Sequence, residues 1–243
     1  MKILSMHQPI RGIMDYWKSF WLNHAKSNRD AGSQIQVLRT LNKQPIKPEA
    51  FTAILESILT MLEPEQGHVL LDLCCGNGVI TKELVGIFRE ITAVDLSEEF
   101  VSKLNIGITR NNIAAFAADA RIVDFPSRSF DRILCYSGIQ YFSESEIISL
   151  FIKLRRWIRD EGLVVLGDIP DAKRRWNFFN SPERESAYFE ALGTEEPLVG
   201  NWFESGWLKK LSRHAGFMSA EIHPQPPTLP FQHYRFDLVL RAS

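Results

Sequence analysis

The chain has 243 residues, 45% hydrophobic and 23% charged, the composition of a soluble globular protein long enough to bury a core without staples. Its 28 basic and 29 acidic residues leave a net charge of −1, which lacks the basic footprint usual in enzymes that act on nucleic acid. Three cysteines are too few for a disulfide framework, no Cys/His set has zinc-like spacing, and no run approaches the roughly 20 apolar residues of a membrane span.

Residues 1–23 carry Lys2, His7, Gln8, Arg11, Asp15 and Lys18, so they lack the apolar core of a signal peptide. Together with reduced thiols this gives the expectation of a cytoplasmic protein without membrane contact. Residues 1–64 read as helical. Met14, Trp17, Trp21 and Ala25 fall on one helical stripe, and Phe51, Ile54, Leu55, Ile58, Leu59 and Leu62 on another that Pro64 and Gly67 end. Residues 42–45 between them read as a loop.

From 68 to 168 short apolar runs alternate with helical patterns. Residues 68–73 form strand one, 79–87 a helix, 91–95 strand two, and 98–104 a helix opened by Ser97. Residues 113–118 and 132–136 form strands three and four. Ser143 and Glu146 make a capping box for a helix running to about Asp160, Gly162 ends it, and 163–167 is strand five. Apolar strands without alternation, each followed by a helix, predict a parallel sheet covered on both faces. Residues 171–205 are rich in aromatics (Trp176, Phe178, Phe179, Tyr188, Phe189, Trp202, Phe203) but broken by Pro182 and Pro197. A helix at about 206–215 and two strands, at about 219–223 and 233–240, complete the chain.

In an open α/β sheet ligands sit at the carboxyl ends of the strands, where the strand order reverses. The loop after strand one reads Asp72-Leu-Cys-Cys-Gly-Asn-Gly78. Its glycines let a ligand approach the backbone closely. A dinucleotide needs G-x-G-x-x-G to seat its pyrophosphate. Here Thr81 stands at the third glycine position, and the carboxylate of Asp72 in front of the loop would repel phosphate. S-adenosylmethionine, which carries an ammonium and a sulfonium and no phosphate, suits that charge. Asp95 at the end of strand two can accept both hydroxyls of a ribose, and Asp119 after strand three offers an acid where an adenine amino group would lie.

Residues 69–173 resemble the core of the class I S-adenosylmethionine-dependent methyltransferases. Val-Leu-Leu-Asp72-Leu-Cys-Cys-Gly-Asn-Gly is similar to their first motif, Ile-Thr-Ala-Val-Asp95-Leu-Ser to their ribose turn and Ala-Asp119-Ala to their adenine turn. Phe130-Asp131-Arg-Ile-Leu-Cys-Tyr-Ser resembles their fourth strand, Glu161-Gly-Leu-Val-Val-Leu-Gly their fifth, and Arg235-Phe-Asp-Leu-Val-Leu their last. The resemblance implies a Rossmann-like α/β fold: seven strands, mostly parallel with an antiparallel last strand, helices on both faces and an N-terminal helical lid. It divides the chain into a cap segment at 1–64 and a cofactor-binding domain at 65–243 with an insert at about 171–205. It implies that Asp72 and the backbone of Cys74, Cys75, Gly76 and Gly78 hold the methionine end. Asp95 and Leu96 would hold ribose and adenine, Asp119 and Ala120 the adenine, and Tyr136 would lie near the methionine part. Cys74 departs from the pattern, because the family usually has glycine there. If the position demands φ > 0, cysteine is strained.

Methyl transfer is an in-line displacement with an excellent leaving group, so proximity and alignment supply most of the effect. A base is needed only where the nucleophile arrives protonated. The strand ends and the terminal hairpin place Gln140, Tyr141, Asp168, His223 and His233 near the pocket. His233, which titrates near neutrality, and Tyr141 are the candidates for catalysis, against plainer readings as a surface histidine and a packing residue. The helix bearing Tyr16, Trp17 and Trp21 and the aromatic insert are the segments able to close over the site, and Arg39 would meet the methionine carboxylate if its segment folds over the cofactor. An aromatic, closed pocket suits a small, partly apolar acceptor. The leading reading is a small-molecule methyltransferase. The alternatives are an RNA or protein methyltransferase and a non-catalytic S-adenosylmethionine-binding protein. Cys135-Tyr-Ser-Gly138 does not match the Asn/Asp-Pro-Pro-Tyr motif of enzymes that methylate nucleic-acid amines. No metal is expected, and the oligomeric state stays open.

Overall fold

The computed structural model describes residues 11–106, 112–194, 196 and 198–243. The reading of residues 1–10, the Met14 side chain and Pro197 lie outside the described residues. Seven strands form one sheet: β1 Val69–Leu73, β2 Glu90–Asp95, β3 Ile113–Ala117, β4 Phe130–Tyr136, β5 Ile158–Pro170, β6 Ser219–Pro224 and β7 Arg235–Arg241. Their order is β3-β2-β1-β4-β5-β7-β6. β3, β2, β1, β4 and β5 pair in parallel, and β7 runs antiparallel to both of its neighbours, as expected. Every residue of β1 is buried, which explains its unbroken apolar run with one acid. The order reverses between β1 and β4, and that switch point opens a crevice at the carboxyl ends of the strands.

The main helices are α1 Arg11–Ser27, α2 Pro48–Leu62, α3 Glu98–Ile106, α4 Glu144–Trp157, α5 Pro182–Gly193 and α6 Ser205–His214. Leu71, Leu73, Ile133 and Val164 on one face of the sheet pack against Ile147, Phe151 and Leu154 of α4 and Leu208 of α6. Leu70, Leu134 and Val165 on the other face pack against Ile54, Ile58, Met61 and Leu62 of α2. The apolar stripe of α2 thus faces the sheet. Pro48 opens α2 at a position where its missing N–H costs nothing. The capping box opens α4: Ser143 Oγ accepts from the Glu146 amide and the Glu146 carboxylate accepts from the Ser143 amide.

Four local expectations change. The helix at 79–87 is only a 3-10 turn, Thr81–Leu84, because Val79, Ile80 and Thr81 are β-branched and Gly86 turns the chain at φ 88°. Residues 42–45 belong to a tight hairpin in which Thr40–Leu41 pairs with Gln44–Pro45, with Asn42 and Lys43 at positive φ. α4 ends at Trp157, since Ile158 already pairs with Phe130. The insert is helical over α5, capped by Ser181. At the amino ends of the strands, Asp131 accepts from the Val69 amide at 2.8 Å and pairs with Arg159, while Arg132 donates to the carbonyls of Leu62 and Glu63. Among the described residues, no helix is long and apolar enough to cross a membrane.

Candidate cofactor and acceptor site

One cleft lies over the carboxyl ends of β1 to β4 and beneath α1. Asp72, Cys74, Cys75, Gly76, Asp95, Leu96, Asp119, Ala120, Tyr136 and Tyr141 all line it. So do Trp17, Trp21, Lys18, Arg39, Arg121 and Ser137. Gly78, Gln140, Asp168, His223 and His233 are not on its walls.

The loop is built around Asp95. Its two carboxyl oxygens accept the amides of Gly76 (2.8 Å) and Ser97 (2.9 Å), which ties the turn after β1 to the turn after β2. Each oxygen keeps a lone pair for a further donor. Burial pushes the Asp95 carboxyl up, and the amides of Ser97 and Gly76 pull it back in part. Asp72 is 3% exposed and accepts from the Thr81 hydroxyl at 2.6 Å. Burial pushes it to about 7, against the pull of Thr81. Its neighbour Asp95 pushes the same way, so the floor of the cleft favours a bound cation.

Cys74 does take the left-handed conformation, at φ 60°. Its thiol meets Cys135 under Gly138, where a Cβ would fall 2.6 Å from Cys135 Sγ and 3.3 Å from Cys74 Sγ. The contact with Cys135 and then burial hold the Cys74 thiol well above its ordinary range, and burial does the same for Cys75. Both are protonated packing groups rather than nucleophiles. Asp119 forms a bidentate pair with Arg121 (2.8 and 2.7 Å) and lies 3.6 Å from Lys18 of α1. Burial raises that carboxyl, but Arg121 holds it below its usual value.

Gly78 serves packing. It sits at φ 73°, and a Cβ there would fall 2.3 Å from Leu104 of α3. Gly78→Ala is expected to lower the stability of the ligand-free protein by about 1–3 kcal/mol, read from its denaturation midpoint. An unchanged midpoint would refute this packing role.

The α1 tryptophans and Arg39 were expected over the site, but the contacts that hold them there, and the meeting of Lys18 with Arg121, were beyond sequence reasoning. Asn77 donates to the Ser33 carbonyl (2.8 Å) and to Gln36 Oε1 (2.7 Å), which pins the short turn Ser33–Gln36 to the glycine loop. That turn leads to Arg39, which is 7% exposed, stacks on the Tyr136 ring at 5.1 Å and has no partner for its Nε among the described residues. Lys18 and Arg121 meet at Asp119, although no local pattern links them. Trp17 and Trp21 pack on Tyr141, with ring centroids 4.8 and 5.1 Å away, and so hold α1 across the cleft. His233 is exposed, and partial burial with Arg174 and Arg184 nearby lowers its pKa.

Residues 70–162 match the family model described as a methyltransferase domain. Phosphoethanolamine N-methyltransferase 3 of Arabidopsis thaliana is 29% identical over 128 residues, covering 49% of this chain and 26% of that protein. (S)-coclaurine N-methyltransferase of Thalictrum flavum subsp. glaucum is 28% identical over 126 residues, covering 50% of this chain and 34% of that protein. The chain thus spans about a quarter to a third of these curated relatives. The structure of Haemonchus contortus phosphoethanolamine N-methyltransferase 1, in complex with phosphoethanolamine and S-adenosylhomocysteine, superposes with a TM-score of 0.68 at 17% identity, covering 96% of this chain and 50% of that one. Residues 70–162 thus match a methyltransferase domain, and the likeness to the solved structure shows that the whole chain has the fold of that neighbour.

Proposed function

We propose that this protein transfers the methyl group of S-adenosylmethionine to a small-molecule acceptor. The observation that carries the reading is the convergence in one cleft of the buried carboxylate of Asp72, the half-buried carboxylate of Asp95 and the buried guanidinium of Arg39, whose Nε has no partner among the described residues. That charge pattern fits an amino acid joined to a nucleoside. Asp72 would face the ammonium, Arg39 the carboxylate and Asp95 the ribose hydroxyls, with Leu96, Asp119 and Ala120 around the adenine. When bound, the cofactor supplies a methyl on a sulfonium whose leaving group is a neutral thioether.

The protein's part is to bind, align and exclude water. The loop of Cys74 to Gly76 offers backbone, Arg39 and Tyr136 close one end, and Trp17 and Trp21 cover the top. Burial pushes the Tyr141 hydroxyl to about 12, so it serves as a donor rather than a base. His233 has no catalytic role in this reading, because it stands off the cleft. The roofed cleft supports a small acceptor over a nucleic acid, although the relatives include ribosomal RNA methyltransferases beside the phosphoethanolamine and coclaurine N-methyltransferases. Three unpaired cysteines support a cytoplasmic setting.

A thermal melt tests the cofactor. S-adenosylmethionine at a hundred times its dissociation constant is expected to add about 2.7 kcal/mol of stability, and NAD to add none. A shift with NAD alone would sink the reading.

A further inference from the structure

Behind the cleft, at the ends of β4, β5 and β7, lies a buried polar cluster centred on Arg235, which is 8% exposed. One of its Nη groups donates to Gln140 Oε1 (2.8 Å), to the Asp168 carbonyl and to Asp168 Oδ2 (3.2 Å). Asp168 is 4% exposed, and Oδ2 of its carboxylate accepts the Ser137 hydroxyl at 2.6 Å. Gln140 donates from Nε2 to the Tyr141 oxygen at 2.8 Å. Ser137 and Tyr141 line the cleft, whereas Arg235, Asp168 and Gln140 do not.

The donor and acceptor roles follow in sequence. An arginine only donates, so the Gln140 atom facing it is the oxygen, and the amide nitrogen faces Tyr141. The Tyr141 oxygen is then an acceptor toward Gln140, and its own proton is free for the cleft. A carboxylate only accepts, so Ser137 spends its one proton on Asp168 and turns lone pairs to the cleft. Ser137 and Asp168 both adopt left-handed backbone, at φ 58° and 59°, which a stability-driven sequence would leave to glycine.

Placement adds the chemistry. Along the sheet the cleft passes Asp119 after β3, Asp95 at β2 and Asp72 at β1, and next comes Ser137 after β4. In the cofactor reading above, on which this inference rests, the first three follow the ligand from adenine to methionine. The next position along the row is where the methyl is delivered. We infer that Arg235 sets opposite polarities on two cleft hydroxyls, so that Ser137 accepts a hydrogen bond from the methyl acceptor and Tyr141 donates one to it. The acceptor is thereby restricted to an amine or alcohol that keeps an N–H or O–H on the reacting atom and offers a lone pair beside it. Carbon and thioether nucleophiles are excluded. Ser137 makes the selecting contact, and Asp168 and Arg235 are positioning residues.

Sinefungin, which replaces the methylsulfonium of the cofactor with an amine-bearing carbon, puts an N–H donor at the delivery point without requiring a known acceptor. Calorimetry on the full chain compares it with S-adenosylhomocysteine. Ser137→Ala leaves the Asp168–Arg235 pair intact. It is expected to weaken sinefungin about tenfold and to change S-adenosylhomocysteine less than twofold. Asp168→Ala leaves Ser137 without its acceptor and frees the hydroxyl proton to turn into the cleft, so the sinefungin loss should be at least that of Ser137→Ala. If Asp168→Ala does not fold, Ser137→Ala still decides. An unchanged ratio of the two affinities in Ser137→Ala, or an equal loss of both ligands, overturns the inference while the cofactor reading stands. Wild-type protein that binds neither ligand overturns both.

Discussion

Asp95→Ala abolishes the thermal stabilisation by S-adenosylhomocysteine, with an affinity loss of about a hundredfold or more, equivalent to roughly 3 kcal/mol. Two effects add. The ribose loses a charged acceptor for its hydroxyls, and charge-assisted bonds of this kind contribute roughly 1.5–3 kcal/mol. The amides of Gly76 and Ser97 also lose the carboxylate that ties the two turns together. The ligand-free variant should still fold, because burial already strains this carboxyl and removing it relieves that cost. Asp95→Asn keeps one acceptor and should fall between the two. An undiminished shift in Asp95→Ala would place the ribose elsewhere.

Cofactor affinity rises with pH and levels off near 7. Asp72 titrates at about 7 in the ligand-free protein, and a bound ammonium needs it ionised. Below that value each pH unit should therefore cost up to about tenfold in the affinity for S-adenosylhomocysteine. The ligand-free stability has the opposite slope. The folded-state value lies above the ordinary 3.8, so the stabilisation present below about pH 4 is lost as the pH rises through 7, by roughly 4 kcal/mol at most. Asp237, pushed by burial to about 6, adds to that fall but lies off the cleft, so it leaves the ligand slope alone. Calorimetric titrations of wild type and Asp72→Asn from about pH 5.5 to 8.5 check this. A wild-type affinity flat across that range, or a slope retained in Asp72→Asn, would refute the role of Asp72.

Much of this was open to reading because the signals are local. β1, β2 and β4 are buried on both faces, so their apolar runs stand out, and Asp72 and Asp95 mark the strand ends by interrupting them. The anomaly at Cys74 was also visible, since a thiol stands where the motif has glycine. What stayed hidden depends on contacts between distant residues. Arg39 reaches the cleft only because Asn77 anchors the Ser33–Gln36 turn, through hydrogen bonds more than forty positions apart in the chain. Arg235 meets Gln140 across 95 positions because β7 inserts between β5 and β6 rather than at the edge. The hairpin that suggested His233 near the site instead leaves it exposed, with Arg235 two positions on buried. Periodicity shows which side of a strand is buried, but not which strand lies alongside it.

Cys74, Ser137 and Asp168 stand at the ends of neighbouring strands, and all three have the left-handed backbone that glycine adopts freely. Each costs about 1–2 kcal/mol that glycine would not. At the opposite ends of the same strands, Asp131, Arg159 and Arg132 fasten backbone and charge together. The sheet is thus riveted at one rim and sprung at the other. Thermal opening should begin at the sprung rim, where the cleft lies, so a cofactor bound there would double as the clasp that holds the two halves of the strand order shut.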